Sequence, residues 1–183
     1  MPALIEATTS VLNSIGSQPP TVEPIPFCRP QLAGNEFGAI TEALETCELS
    51  GDGAITKRCH RLLEATLGVN KALLTTSCTH ALEMSALLLR IQPGDEVIVP
   101  SFTFVSTVNA FVMHGARPVF ADVRPDTLNL DERQLESLIT PRTRGIMPVH
   151  LYGHPADMDP IMDIASRHRL IVVEDACQAH AAR

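Results

Sequence analysis

Apolar residues in this chain follow two alternating rhythms. Leu170, Ile171, Val172 and Val173 are four aliphatic residues in a row, so 170–173 reads as a strand buried on both faces. Similar short runs predict strands over 72–75, 96–99 (closed by Pro100), 118–120 and 145–149. Between them the apolar period lengthens to that of a helix. Ser77, Cys78 and Thr79 open a helix running to Ile91. Its Ala81, Leu82, Met84, Ala86, Leu87, Leu88 and Leu89 cover most of the circumference, which predicts burial. Phe104, Val108, Phe111 and Val112 mark the next helical face, ended by Gly115. Asp131 and Gln134 have the spacing of a capping box before Leu135, Leu138 and Ile139. Asp159 and Pro160 suit the N-cap and N1 positions of another helix. Upstream, Phe37, Ile40, Leu44 and Cys47 share one helical face. Cys59, Leu62, Leu63 and Thr66 share a second, with Gly68 placed to end that helix.

Strands alternating with helices predict an α/β fold, a mostly parallel sheet covered by helices on both faces. Residues 1–24 read as a flexible extension, since Pro19, Pro20, Pro24 and Pro26 stop any helix that starts there. Residues 25–183 form the body. Ligands of such folds sit at the carboxyl ends of the strands. That edge would gather 77–79, 101–104, 150–153 and 175–178. Asp175 at the end of its strand either caps a following helix or meets a cationic group, and both roles fit. Gln178, three residues on, can reach the same ligand. The turn at Cys78 and Thr79 either is a plain capped helix start or an anion site made of free amides. Phe104 is core or a stacking face; two of the few aromatics lie in this one loop, flanked by hydroxyls. Gly51, Asp52 and Gly53 form a turn or the rim of a site.

Composition narrows the choices. The 183 residues are 45% hydrophobic and 19% charged, which is globular. A net charge of −7 without a basic block argues against nucleic acid as a partner. No apolar run is long enough to span a membrane, and no basic leader precedes one. Cys28, Cys47, Cys59, Cys78 and Cys177 are odd in number and widely spaced. They suggest free thiols in the cytoplasm rather than disulfides or a zinc site. His150 and His154 lack metal-ligand spacing, so no metal is expected, and His150 should meet a polar neighbour. His60 and His168 are expected on helix surfaces. A helix start lowers a thiol pKa, yet no histidine–carboxylate pair in the sequence supports Cys78 as a nucleophile. There is neither a P-loop nor a Gly-x-Gly-x-x-Gly pattern. An anion cradle, an aromatic plate and a buried carboxylate with an amide beside it together suit pyridoxal phosphate.

Seven ordered motifs carry a family resemblance: 51–53, 77–82, 93–98, 100–109, 150–153, 157–159 and 174–178. Residues 25–183 resemble the first half of the DegT/DnrJ/StrS-type sugar aminotransferases. The resemblance implies the fold type I large domain of pyridoxal-phosphate enzymes. It also implies transfer of an amino group from glutamate to a nucleotide-linked keto sugar. Residues 77–89 and 101–110 are most similar to members that act on dTDP-4-keto-6-deoxyglucose. By the same resemblance Cys78 and Thr79 bind the phosphate, Phe104 stacks on the ring, and Asp175 pairs with the ring nitrogen. Gln178 contacts the ring hydroxyl, and the 51–53 loop touches substrate. Cys177 departs from the alanine usual in the family. The family's Schiff-base lysine lies beyond Arg183, and Lys57 and Lys71, the two lysines here, do not fit its position. The 183 residues alone are therefore expected to be an inactive, poorly soluble fragment of a homodimeric enzyme. A related nucleotide-sugar dehydratase and a non-catalytic relative are the alternatives.

Overall fold

The computed structural model describes residues 25–26, 28–47, 49–180 and 182. The expected extension over 1–24 lies outside the described residues. The chain divides into two units, Met1–Cys47 and Glu48–Arg183. The first unit carries helix α1 (Glu36–Glu45), on the expected face of which Phe37, Ile40 and Leu44 are exposed.

The second unit is built on four parallel strands, β1 (Glu96–Pro100), β2 (Arg117–Ala121), β3 (Thr143–Ile146) and β4 (Ile171–Val172), in the order β2-β1-β3-β4. Alternation along β1 separates two cores. Val97 and Val99 face Leu82, Ala86, Ala110, Phe111 and Met147. Ile98 faces Leu130, Leu135, Ile146, Ile161 and Ala165. Helices α3 (Cys78–Leu88) and α4 (Val105–Val112) feed the first core. The short α5 (Leu135–Leu138) and α6 (Met158–His168) feed the second. The α/β expectation holds, with both sheet faces covered. Gly145 is needed where β3 passes β4, since a Cβ there would lie 2.9 Å from the Ile171 carbonyl oxygen.

Several expected elements change. Residues 72–75 form no strand. The Ala72 amide donates to Glu64 Oε1 (3.1 Å) and the Leu74 amide to His60 Nε2 (2.9 Å). Helix α2 (Ala54–Leu67) thus supplies the acceptors that a neighbouring strand would have offered. His60 is accordingly buried, not on the surface. Helix α3 ends at Leu88 rather than Ile91, because Arg90 turns left-handed (φ 53°). Arg90 N–H then reaches the Leu87 carbonyl and Ile91 N–H that of Ala86, a Schellman stop. Only Leu82 and Ala86 of α3 are buried, whereas Leu87 and Leu88 are exposed. Helix α6 starts at Met158 with Asp157 as N-cap, placing Pro160 third. A proline is tolerated throughout a first turn, whose amides lack intrahelical acceptors, so its position fixed the start only to within that turn. Strand β4 is a two-residue edge with Ile171 exposed, not a strand buried on both faces. Its ladder continues irregularly through Val173 N–H to Ile146 O and Asp175 N–H to Pro148 O. Among the described residues no helix is long and apolar enough to cross a membrane.

Candidate functional site

Asp175 is fixed by backbone before its side chain does anything. Its amide donates to the Pro148 carbonyl (2.9 Å) and its carbonyl accepts from His150 N–H (3.0 Å). The residue is 3% exposed. Its Oδ2 accepts a hydrogen bond from Thr107 Oγ1 (2.8 Å). Oδ1 faces Cys78 Sγ at 3.9 Å and accepts from Cys177 N–H at 3.3 Å. Among the described residues no cationic side chain pairs with it. A buried carboxylate held only by neutral donors is incompletely compensated. The turn after β4, the start of α3 and the first turn of α4 therefore meet on one carboxylate.

Each partner is placed by local structure. Ser77 caps α3, its Oγ accepting from His80 N–H at 3.2 Å. Cys78 and Thr79 occupy the first two positions of that helix, where amides have no intrahelical acceptor and the dipole favours an anion. The Ser77 cap thus leaves these two amides open. Phe104 is the N-cap of α4 and is 69% exposed, so it is a presented ring rather than core. Its carbonyl accepts from Thr107 N–H (3.1 Å), one turn from Asp175. Gln178 Oε1 accepts from Tyr152 N–H at 2.7 Å, which leaves its NH₂ group for a ligand. Gly51, Asp52 and Gly53 stand before α2 with local contacts, Asp52 to Lys57 at 3.9 Å, and none ties them to Asp175.

One feature escaped sequence reasoning. Thr107 is wholly buried and linked to Thr103 (2.9 Å), so a hydroxyl relay supports Asp175. Its signal was a hydroxyl at i+3 from Phe104, on the turn of the helix that follows that ring. His150 met the expected polar neighbour: Nδ1 accepts from Ala156 N–H, so Nε2 carries the proton and donates to Glu174 at 2.8 Å. The thiols are not activated. Desolvation and then the charge of Asp175 push Cys78 up. Desolvation, followed by Asp175, pushes Cys177 up to about 12. Neither effect favours Cys78 as a nucleophile.

The residues present fit pyridoxal phosphate. The buried, cation-free Asp175 oxygen suits a protonated ring nitrogen, and the open amides at the start of α3 suit a phosphate.

Comparison with known proteins agrees. The profile of the DegT/DnrJ/EryC1/StrS aminotransferase family matches residues 30–183. GDP-perosamine synthase of Caulobacter vibrioides is 44% identical over 155 residues, 85% of this chain and 42% of that protein. The spore coat polysaccharide biosynthesis protein SpsC of Bacillus subtilis is 41% identical over 155 residues, 85% of this chain and 40% of its own. DesV of S. venezuelae, solved in complex with a ketimine intermediate, superposes with a TM-score of 0.71 at 41% identity. That match covers 80% of this chain and 40% of DesV. GDP-4-keto-6-deoxymannose-3-dehydratase, solved with a trapped PLP-glutamate geminal diamine, gives 0.78 at 28% identity, over 84% of this chain and 41% of the dehydratase. The chain thus spans about two fifths of the length of the curated relatives it matches. The chain belongs to the DegT/DnrJ/EryC1/StrS aminotransferase family, whose cofactor is pyridoxal phosphate and whose large domain has this α/β fold.

Proposed function

We propose that these residues form the cofactor-holding part of an enzyme that aminates dTDP-4-keto-6-deoxyglucose, with glutamate as donor, to the 4-amino-4,6-dideoxygalactose product. The observation that carries this reading is the buried Asp175 carboxylate meeting the start of α3 and the first turn of α4 without a cation. Pyridoxal phosphate supplies an electron sink through which an amino group can move between donor and acceptor. The chain's own residues bind and orient it. The Cys78 and Thr79 amides hold the phosphate. Phe104 offers its exposed ring to the pyridine face. Asp175, steadied by Thr107, keeps a proton on the ring nitrogen. The NH₂ of Gln178 donates to the ring hydroxyl. The 51–53 loop contributes to the sugar-nucleotide site in the homodimer, in the cytoplasm, and the product serves a surface polysaccharide or lipopolysaccharide.

Neither lysine in the chain takes the Schiff-base role. Lys57 pairs with Asp52 (3.9 Å) and Lys71 with Glu64 (3.1 Å). The 183 residues alone are therefore proposed to bind the cofactor without transaminating. The test is absorbance titration of the chain with pyridoxal phosphate. Wild type should saturate, Asp175→Asn should bind far more weakly, and equal binding overturns the assignment. With glutamate and dTDP-4-keto-6-deoxyglucose the chain should form no amino sugar, and any product refutes its inactivity. Saturation-transfer NMR with dTDP- and GDP-linked keto sugars should favour the dTDP form; a GDP preference overturns that choice.

The dehydratase neighbour favours a second reading, in which the same ring site serves sugar dehydration. Loss of a sugar hydroxyl rather than gain of an amino group, read by mass spectrometry of the whole enzyme's product, would select it.

A further inference from the structure

The two thiols beside Asp175 play no part in the reading above. Cys78 Sγ, Cys177 Sγ and an Asp175 carboxylate oxygen all lie within 4.8 Å of one another. Cys78 and Asp175 are 97 residues apart in the chain, so the fold, not sequence proximity, assembles the cluster. A tetrahedral zinc ion with Zn–S of about 2.3 Å needs sulfur atoms about 3.8 Å apart and sulfur–oxygen edges of about 3.5 Å. The observed spacing is within a rotamer adjustment of both. Cys78 and Cys177 are exposed, which leaves a path for an ion, while Asp175 is buried beneath them. Thr107 Oγ1 and the Cys177 amide hold that carboxylate, as outer partners do in metal sites, while the Pro148 carbonyl and the His150 amide fix the backbone of Asp175.

We propose that Cys78, Asp175 and Cys177 form a three-ligand site for a thiophilic divalent cation such as Zn²⁺, its fourth position taken by water. Binding forms two metal–sulfur bonds and one metal–oxygen bond and releases the two thiol protons to solvent. The site uses Cys78 through its sulfur, whereas an anion at the helix start uses its amide. Asp175 is shared, so cation and cofactor exclude each other; that part alone rests on the proposed function.

The experiment is a Co²⁺ titration of the 183-residue chain free of pyridoxal phosphate. One ion per chain should bind with thiolate-to-cobalt charge-transfer absorption. Cys177→Ala and Cys78→Ser should each weaken binding by at least the roughly 10- to 100-fold that loss of a mere outer partner costs. Cys28, Cys47 and Cys59 remain in both variants, and circular dichroism reports whether each keeps its fold. Asp175→Asn should weaken Co²⁺ binding similarly. Absence of the charge-transfer band, or equal binding by wild type and Cys177→Ala, overturns the site. Preloading with Co²⁺ should suppress pyridoxal phosphate binding, and full occupancy by both together overturns the exclusion. If metal-free chain binds no pyridoxal phosphate, the cofactor reading fails while the cobalt band still decides the metal site.

Discussion

The two edges of the sheet handle buried carboxylates in opposite ways. At the amino edge Asp95 accepts from Arg144 (3.0 Å) and from Gln92 N–H (2.9 Å). Glu96 accepts from Thr140 and from Arg142 (3.1 Å). Both carboxyls titrate below the usual range: backbone and arginine hydrogen bonds outweigh desolvation at Asp95, and the Thr140 hydrogen bond leads at Glu96. A cavity of about 890 Å³ opens at this edge, lined in part by Asp95, Thr143 and Arg144. Asp95 and Arg144 there already pair with each other. At the carboxyl edge Asp175 is as deeply buried but has only a hydroxyl, an amide and a thiol around it. This cavity would favour the amino edge, whereas charge compensation favours the proposed site at the carboxyl edge.

That contrast can be broken by substitution. The largest effect should be Asp175→Ala on pyridoxal phosphate binding. Losing a charge-assisted hydrogen bond of about 1.5–3 kcal/mol weakens binding roughly 10- to 150-fold. Asp95→Ala should leave that titration unchanged. Unfolding should show the reverse. Asp95→Ala should cost about 1–2 kcal/mol in a urea melt, while Asp175→Asn should leave the midpoint unchanged or raise it, since a poorly compensated charge is removed. A midpoint that falls equally in both variants would erase the distinction between the edges. Next in size, Thr107→Val keeps the side-chain shape and removes the donor to Asp175. It should weaken cofactor binding about fivefold, for a hydrogen bond worth about 1 kcal/mol.

The smallest effect concerns acid. The Arg133 guanidinium holds Asp131 down at about 2, and Arg167 with His168 holds Glu136 at about 2. These folded values lie below the ordinary carboxylate range of about 4. Their stabilisation is therefore present above that range and is lost as pH falls towards 2. Urea midpoints measured from pH 6 to pH 2.5 should decline below about pH 4. Asp131→Asn should flatten the decline slightly, and added salt should shrink it, because Arg133 is largely exposed.

Much of this arrangement was legible in the chain. Short aliphatic runs located β1 to β4, and Asp175, Cys78 and Gln178 stood at strand ends or helix starts, where ligand groups collect. What failed was whatever depends on a neighbour. Residues 72–75 look like a strand, but a strand exists only beside another, and here α2 side chains take its amides. His60 looked like a surface residue because its acceptor role towards Leu74 spans a turn that no periodicity encodes. Thr107 sits beside Ser106 in a loop-to-helix stretch full of hydroxyls, and nothing local shows which of them points at the carboxylate after β4.

The acidic doublet at the end of β4 has one further implication. Glu174 turns to His150 and Asp175 to Thr107, on opposite sides of the same backbone. A single residue inserted or deleted between Leu170 and Glu174 would exchange these two faces and turn the wrong acid towards Thr107 and the proposed ring site. Functional loss in this segment should therefore follow the parity of an indel rather than its size.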